Sequence, residues 1–210
     1  MKKFSKNLNK KYIRRDNIDE KFVYKLLENL PNKTFTDKRA IICVILLYIT
    51  GCRINELRNF NKFSIDKLIK DGTLTIHTFK TNNTRRIDIG KYETELLKEY
   101  LPIVEDYYSK LDLRNHVLFS NKGEEINERS SYIWLNRILK KHGKEYGLNI
   151  LSHSFRIGYI TNILKYYNVQ VAKSIVGHKN INTTLRYDRN MLNSEDVKNI
   201  LNELKNKTNK

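Results

Sequence analysis

Apolar side chains recur along this chain mostly at helical spacing, and strand-like alternation is confined to one short region. Capping residues near Asn17–Asp19 precede Phe22, Leu26, Leu27 and Leu30, which predicts a first helix ended by Pro31. A second predicted helix runs from Lys38 to Thr50, capped by Asp37 and closed by Gly51. Its run from Ile41 to Leu47 is apolar nearly all round, so it belongs in the core. Thr73 to Phe79 alternates and Arg86 to Ile89 alternates after it. Polar Thr81-Asn82-Asn83-Thr84 between them reads as a hairpin loop with Lys80 at or near its tip. Helical spacing returns over Glu93 to Tyr107, bent by Pro102, and again over Ser130 to His142. Between these two, Val117-Leu118-Phe119 is a strand-like run. From Ser152 a helix extends to about Tyr166, Asn168 turns the chain in a left-handed conformation, and Val169 to Val176 forms a short helix. Asn182-Thr183-Thr184 would cap a further helix carrying Tyr187. Ser194 to Leu204 carries a stripe of Val197, Ile200, Leu201 and Leu204, which packs either on its own domain or on a neighbour. The expected fold is mainly α with a small antiparallel β-hairpin (α+β), with no internal repeat and no clear dividing linker.

Composition supports a globular chain: 210 residues, 40% apolar, with eight Gly and two Pro, enough for one sizeable core. Charge changes the picture more. Forty Lys and Arg against 23 Asp and Glu give a net +17, which makes a polyanion such as nucleic acid the expected partner, with a merely soluble basic protein as the alternative. The first fifteen residues hold Lys10, Lys11, Arg14 and Arg15 among their seven cations and no acid. They read as an arm laid along phosphates or as a solvated tail. Cys43 and Cys52 form no C-x-x-C pair, so neither a disulfide framework nor a zinc knuckle is implied and a reducing compartment fits. The longest apolar run, Ala40 to Ile49, is too short to cross a bilayer, and no signal peptide is evident. The expected location is cytoplasmic or nucleoid-associated.

The candidate chemistry begins with His153-Ser154-Phe155-Arg156, in which His153 and Arg156 share a helix face. Gly177-His178 follows, and then Tyr187. Arg, imidazole and phenol are the parts needed to hold a phosphate and attack it. H-x-x-R alone is weak, because a surface helix with both residues on one side is ordinary; the later Gly-His and Tyr strengthen it. Upstream, Arg53 and Glu56 form an i, i+3 pair directly after the most apolar helix, either a surface ion pair or a functional cation on a rigid mount.

Together these motifs resemble the tyrosine recombinases, the phage integrase family. The matching stretches are T-G-C-R-I-N-E-L, the Lys80 of F-K-T, L-S-H-S-F-R, V-G-H and T-T-L-R-Y, in family order over roughly Phe22 to Arg189. The resemblance implies the recombinase catalytic-domain fold over residues 17–193, after a flexible arm (1–16) and before a C-terminal helix and tail (194–210). It implies site-specific DNA strand exchange through a 3′-phosphotyrosyl intermediate, or else a non-catalytic DNA-binding protein on a decayed fold. By resemblance Tyr187 is the nucleophile, Arg53 and Arg156 grip the scissile phosphate with help from His178, Lys80 is the general acid and His153 aids proton transfer. Glu56 looks like the family's orienting acid. Duplex DNA is the implied partner, contacted by Lys10, Lys11, Arg14, Arg15, Arg85 and Arg86, with a homotetramer on the synapsed sites and no metal or other cofactor. Two departures stand out: Arg53 arrives too early for the usual N-terminal clamp domain, as in short invertase-like members or a truncated remnant, and Asn168 stands where the family often has Gly.

Overall fold

A computed structural model of the chain describes residues 16, 18–80 and 82–188. The basic arm (1–15) and the 194–204 stripe lie outside the described residues. Two compact units emerge, one through Tyr159 and one from Ile160.

The first unit is built around helix α2 (Phe35–Thr50), whose residues Ala40 to Leu47 are all at most 2% exposed. Thr34, not Asp37, caps it: the Thr34 hydroxyl accepts from Asp37 N, and Asp37 returns a bond to the Thr34 N–H as a capping box. Helix α1 (Glu20–Asn29) starts on Asp19, which accepts from Phe22 N, and lays Phe22, Val23, Leu26 and Leu27 on the core. A 3₁₀ turn (Ile54–Asn59) follows α2 and leads into α3 (Lys62–Asp71), a helix that the apolar spacing did not reveal. Strands β1 (Thr73–Thr78) and β2 (Asn83–Asp88) form the antiparallel hairpin, Leu74 opposite Ile87 and Thr78 opposite Asn83. Asn83 and Thr84, expected in the loop, are therefore strand residues. The helix expected over Glu93–Tyr107 is two helices, α4 (Lys91–Glu99) and α5 (Leu101–Tyr108), separated at Tyr100. Pro102 falls in the first turn of α5, where its missing N–H leaves no bond unmade. The run Val117–Phe119 forms no strand, only a bridge from Phe119 to Glu125, and α6 (Glu128–Glu145) follows.

Helix α7 (Ser152–Tyr166) contributes its first half to this unit. Gly158 lets the backbone of Ile18 lie against it, since a Cβ there would meet the Ile18 carbonyl at 2.4 Å.

The second unit holds the end of α7, α8 (Val169–Val176) and α9 (Ile181–Leu185). Asn168 is not left-handed. At φ −72° and ψ 168° it is the N-cap of α8, accepting from Val171 N, so the side chain rather than a special backbone makes the turn. Likewise Asn180, not Asn182, caps α9, and Tyr187 lies just beyond that helix.

Candidate active site

The first unit gathers its candidate residues at the C-terminal end of α2. Gly51 closes that helix in the left-handed region at φ 56°, and any side chain there would strike the Tyr159 ring. Helix C-termini leave carbonyls without intrahelical donors. Here guanidinium groups satisfy two of them: Arg85 Nη2 donates to Thr50 O at 3.2 Å, and Arg156 Nη1 donates to Gly51 O at 2.7 Å. Cations at this end also complement the helix dipole.

Arg53 occupies the N-cap position of the 3₁₀ turn and is gripped twice by Glu56. Glu56 Oε2 accepts from Arg53 N at 2.9 Å, and Oε1 accepts from Arg53 Nη1 at 2.8 Å. The Glu56 side chain is only 2% exposed, so this is not a surface ion pair. Burial pushes its carboxyl up, but the Arg53 N–H bond and the charges of Arg156, Arg85 and Arg53 outweigh burial and hold it below the usual glutamate range.

Next to this network lies a cleft of about 540 Å³, lined by Arg53, Ile54, Asn55, Glu56, Phe79, Lys80, Glu128, Tyr132, Ser152 and His153. Lys80 reaches it from the exposed hairpin tip, as the alternation predicts. Both hairpin strands are tied to the Arg53 turn. On β1, Asn59 brackets His77, accepting from His77 N at 2.7 Å and donating to His77 O at 3.0 Å. On β2, Arg85 faces Glu56 Oε2 at 3.6 Å. His153 enters on the first turn of α7, whose start is held by Asn136: Ser152 N donates to Asn136 Oδ1 at 2.7 Å. Arg156, one turn on, is fully buried and is not among the residues lining the cleft.

The second unit carries His178 and Tyr187. Gly177 ends α8 in the left-handed region and presents His178, which is 7% exposed. His178 Nδ1 pairs with Thr184 Oγ1 at 2.9 Å, and its ring stacks on Tyr187 at 5.8 Å between centroids and 23° between planes. Tyr187 is half-buried, with its N–H on Thr184 O and its carbonyl accepting from the Thr161 hydroxyl at 3.3 Å.

The expectation that Arg85 and Arg86 both meet DNA is corrected for Arg85. Its side chain is 4% exposed and turned inward, while Arg86 is 68% exposed on the opposite face. Successive strand residues point to opposite faces, so two adjacent arginines could not share one. The alternation of Ile87 and Ile89 already carried that signal. Residues missed in the sequence include Asn136, Glu128 and Tyr132; the last two are one helical turn apart on α6, without a motif to mark them. Thr184 lay within T-T-L-R-Y. Among the described residues no group of His, Cys, Asp or Glu converges as metal ligands, and no helix is long and apolar enough to cross a membrane.

Comparison with known proteins locates this arrangement. The profile of the Phage integrase family matches residues 16–193. Tyrosine recombinase XerA of Thermococcus kodakarensis is 27% identical over 169 residues, covering 80% of this chain and 55% of the relative. The chain thus spans little more than half the length of the curated relatives it matches. A crystal structure of XerA recombinase superposes with a TM-score of 0.62 at 21% identity, over 94% of this chain and 66% of that one. The Tn1549 transposon integrase, in complex with a circular intermediate DNA, gives a TM-score of 0.70 at 15% identity, over 93% of this chain and 68% of that one. At these identities the two structures speak to the fold.

Proposed function

The chain belongs to the phage integrase family, and on that premise we propose that it is a site-specific DNA recombinase that breaks and rejoins strands through a phosphotyrosyl intermediate. The observation that carries this reading is the cleft that brings Arg53, Glu56, Lys80 and His153 together from three separate stretches of sequence.

A phosphodiester resists attack because its charge repels nucleophiles and its alkoxide leaves poorly. Arg53 and Arg156 answer the first difficulty: guanidinium donates paired hydrogen bonds to phosphate oxygens and stays charged at all relevant pH. Their charge favours the pentacovalent transition state over the ground state. Tyr187 Oη attacks phosphorus and gives up its proton with the help of His153. The bond to the 5′ oxygen breaks, and Lys80 supplies the proton that lets this oxygen leave, a task worth about 10²–10⁴-fold. His178 supports the phosphate. The new phosphotyrosyl bond conserves the energy of the broken one, so the reverse attack by a 5′ hydroxyl rejoins the strand without ATP, and the cations carry the charge that a metal would otherwise bring.

Duplex DNA is the partner this reading requires, met by Arg86 of a catalytic domain over 17–193 and by Lys10, Lys11, Arg14 and Arg15 of the arm that precedes it. Strand exchange needs two sites and so a homotetramer. In the second unit Tyr166, Tyr167, Val171 and Leu185 are exposed, and the 194–204 stripe of a neighbour is assigned to packing on apolar side chains of this kind. The residues needed for catalysis are all present, which disfavours a decayed, purely DNA-binding protein.

The test is incubation with a nicked duplex site followed by denaturation in SDS. Wild type is expected to leave a covalent protein–DNA adduct, and Tyr187→Phe, which lacks only the attacking oxygen, to bind DNA and leave none. An adduct of equal yield in the variant would refute Tyr187 as nucleophile.

A further inference from the structure

We infer that Arg85 is a positioning residue for Arg53, the strut that sets the Glu56 carboxylate against which Arg53 is held; the inference rests on the recombinase reading above. A carboxylate offers about four lone-pair sites. Arg53 takes one on each oxygen of Glu56, through its backbone N–H and its Nη1. Those two bonds come from one residue with a long, partly exposed side chain, 26% accessible, so they fix Arg53 only as well as Glu56 itself is fixed. Arg85 supplies the outside reference. Its Nη2 donates to Thr50 O, in the last turn of the core helix, and lies 3.6 Å from Glu56 Oε2. Both contacts come from one nitrogen, Nη2, whose direction the planar guanidinium fixes, whereas a lysine ammonium offers a compact point charge on a flexible stem.

The same side chain joins two parts of the site. Arg85 stands on β2, in register with Ile76, and anchors the return strand of the hairpin whose tip carries Lys80. Asn59 anchors the outgoing strand at His77. The proposed acid and the proposed phosphate-gripping arginine are thereby referred to one turn of backbone. A charge that the sequence offers to DNA is spent inside the protein, because the period-two alternation of β2 turns it inward beside Ile87.

The test uses the full chain carrying Arg85→Lys or Arg85→Met, alone and combined with Glu56→Gln. Three quantities are measured: single-turnover adduct formation on nicked duplex, duplex affinity across a salt series, and modification of Arg53 by phenylglyoxal mapped on peptides. Adduct formation should slow about tenfold in Arg85→Lys and about a hundredfold in Arg85→Met, the scale on which a misplacement of about 1 Å acts. Arg53 should react several-fold faster with phenylglyoxal, and the slope of log affinity against log salt should not change. In the Glu56→Gln background Arg85→Met should add little, since residues acting through one network are not additive. A slope flatter by about 0.9 would make Arg85 a phosphate contact and overturn the inference, as would undiminished adduct formation or full additivity with Glu56→Gln. Should Arg85→Met fail to fold, Arg85→Lys and the double variant, which buries no unpaired carboxylate, carry the comparison. Wild type that forms no adduct would refute the recombinase reading, while the reactivity of Arg53 would still decide the role of Arg85.

Discussion

The turn that carries Arg53 follows a core helix of 16 residues, whereas Tyr187 follows a helix of 5. Around Arg53 a buried carboxylate, two helix-end carbonyls and two further guanidinium groups are locked together. Among the contacts within the described residues, Tyr187 donates its N–H to Thr184, accepts from the Thr161 hydroxyl and stacks on an imidazole, and it is itself half-buried. The difference fits the roles proposed for the two parts. Electrostatic stabilisation of a transition state works best from charges that need no rearrangement when the reaction occurs. A nucleophile must instead be withheld and presented, and lightly packed elements open at lower free energy than a core.

The largest expected effect is at the rigid end. Arg53→Ala should slow single-turnover adduct formation by about 10²–10³-fold, the loss typical of one preorganised charge-stabilising donor, with duplex affinity nearly kept. A loss under tenfold would break the comparison. Gly51→Ala should come next, lowering stability by at least about 2 kcal/mol: a left-handed conformation costs about 1–2 kcal/mol for a residue with a Cβ, and this Cβ meets the Tyr159 ring at 2.4 Å. Denaturant titration reads it, and an unchanged midpoint would mean that the turn is pliable.

The pH dependence of stability sharpens the same point. The Glu56 carboxyl sits below its ordinary range in the folded state. It therefore contributes stability that is present above about pH 4.3, the unfolded value, and is lost as pH falls through its lower folded value. Glu56→Gln should flatten the acid limb of the stability profile, and an identical limb would show that the carboxylate is not held by its cations. Smallest is Thr184→Val, which removes the partner of His178 Nδ1 at nearly constant volume. One hydrogen bond is worth about 1 kcal/mol, so cleavage should slow only about fivefold. A loss equal to that of Arg53→Ala would show the mount of Tyr187 to be as critical as that of Arg53.

How much of this could be read from the chain follows from the range of the forces involved. Helix α2, the hairpin and the Arg53–Glu56 pair are set by local pattern, and they were legible. Helix α3 is faint in the sequence because Phe63, Ile65, Leu68 and Ile69 are spread thinly among charges, although Asn61 and Ser64 cap it reciprocally. Asn168 marks the right turn with the wrong backbone role, since an Asn both tolerates the left-handed region and caps helices, and the cap of α9 falls on Asn180, two residues before the expected Asn182. The inward turn of Arg85 follows from its alternation with Ile87 and Ile89, whereas its partner Thr50 O needed the tertiary fold. No sequence spacing could have matched Asn136 to Ser152, because that bond depends on how α6 meets the start of α7.

The same core helix and turn carry a pair of built-in stopwatches. Cys43 lies inside α2 and Cys52 stands one residue before Arg53; both thiols are fully enclosed, and burial lifts each to about 12. A thiol must become both accessible and ionised to react. A soluble maleimide therefore labels Cys52 at a rate set by how often the turn opens, and Cys43 at a rate set by how often the core helix comes apart. The ratio of the two labelling rates separates flickering of the arginine mount from unfolding of the whole unit. DNA seated on the arginines would register as a slower Cys52 clock, read against Cys43 in the same tube.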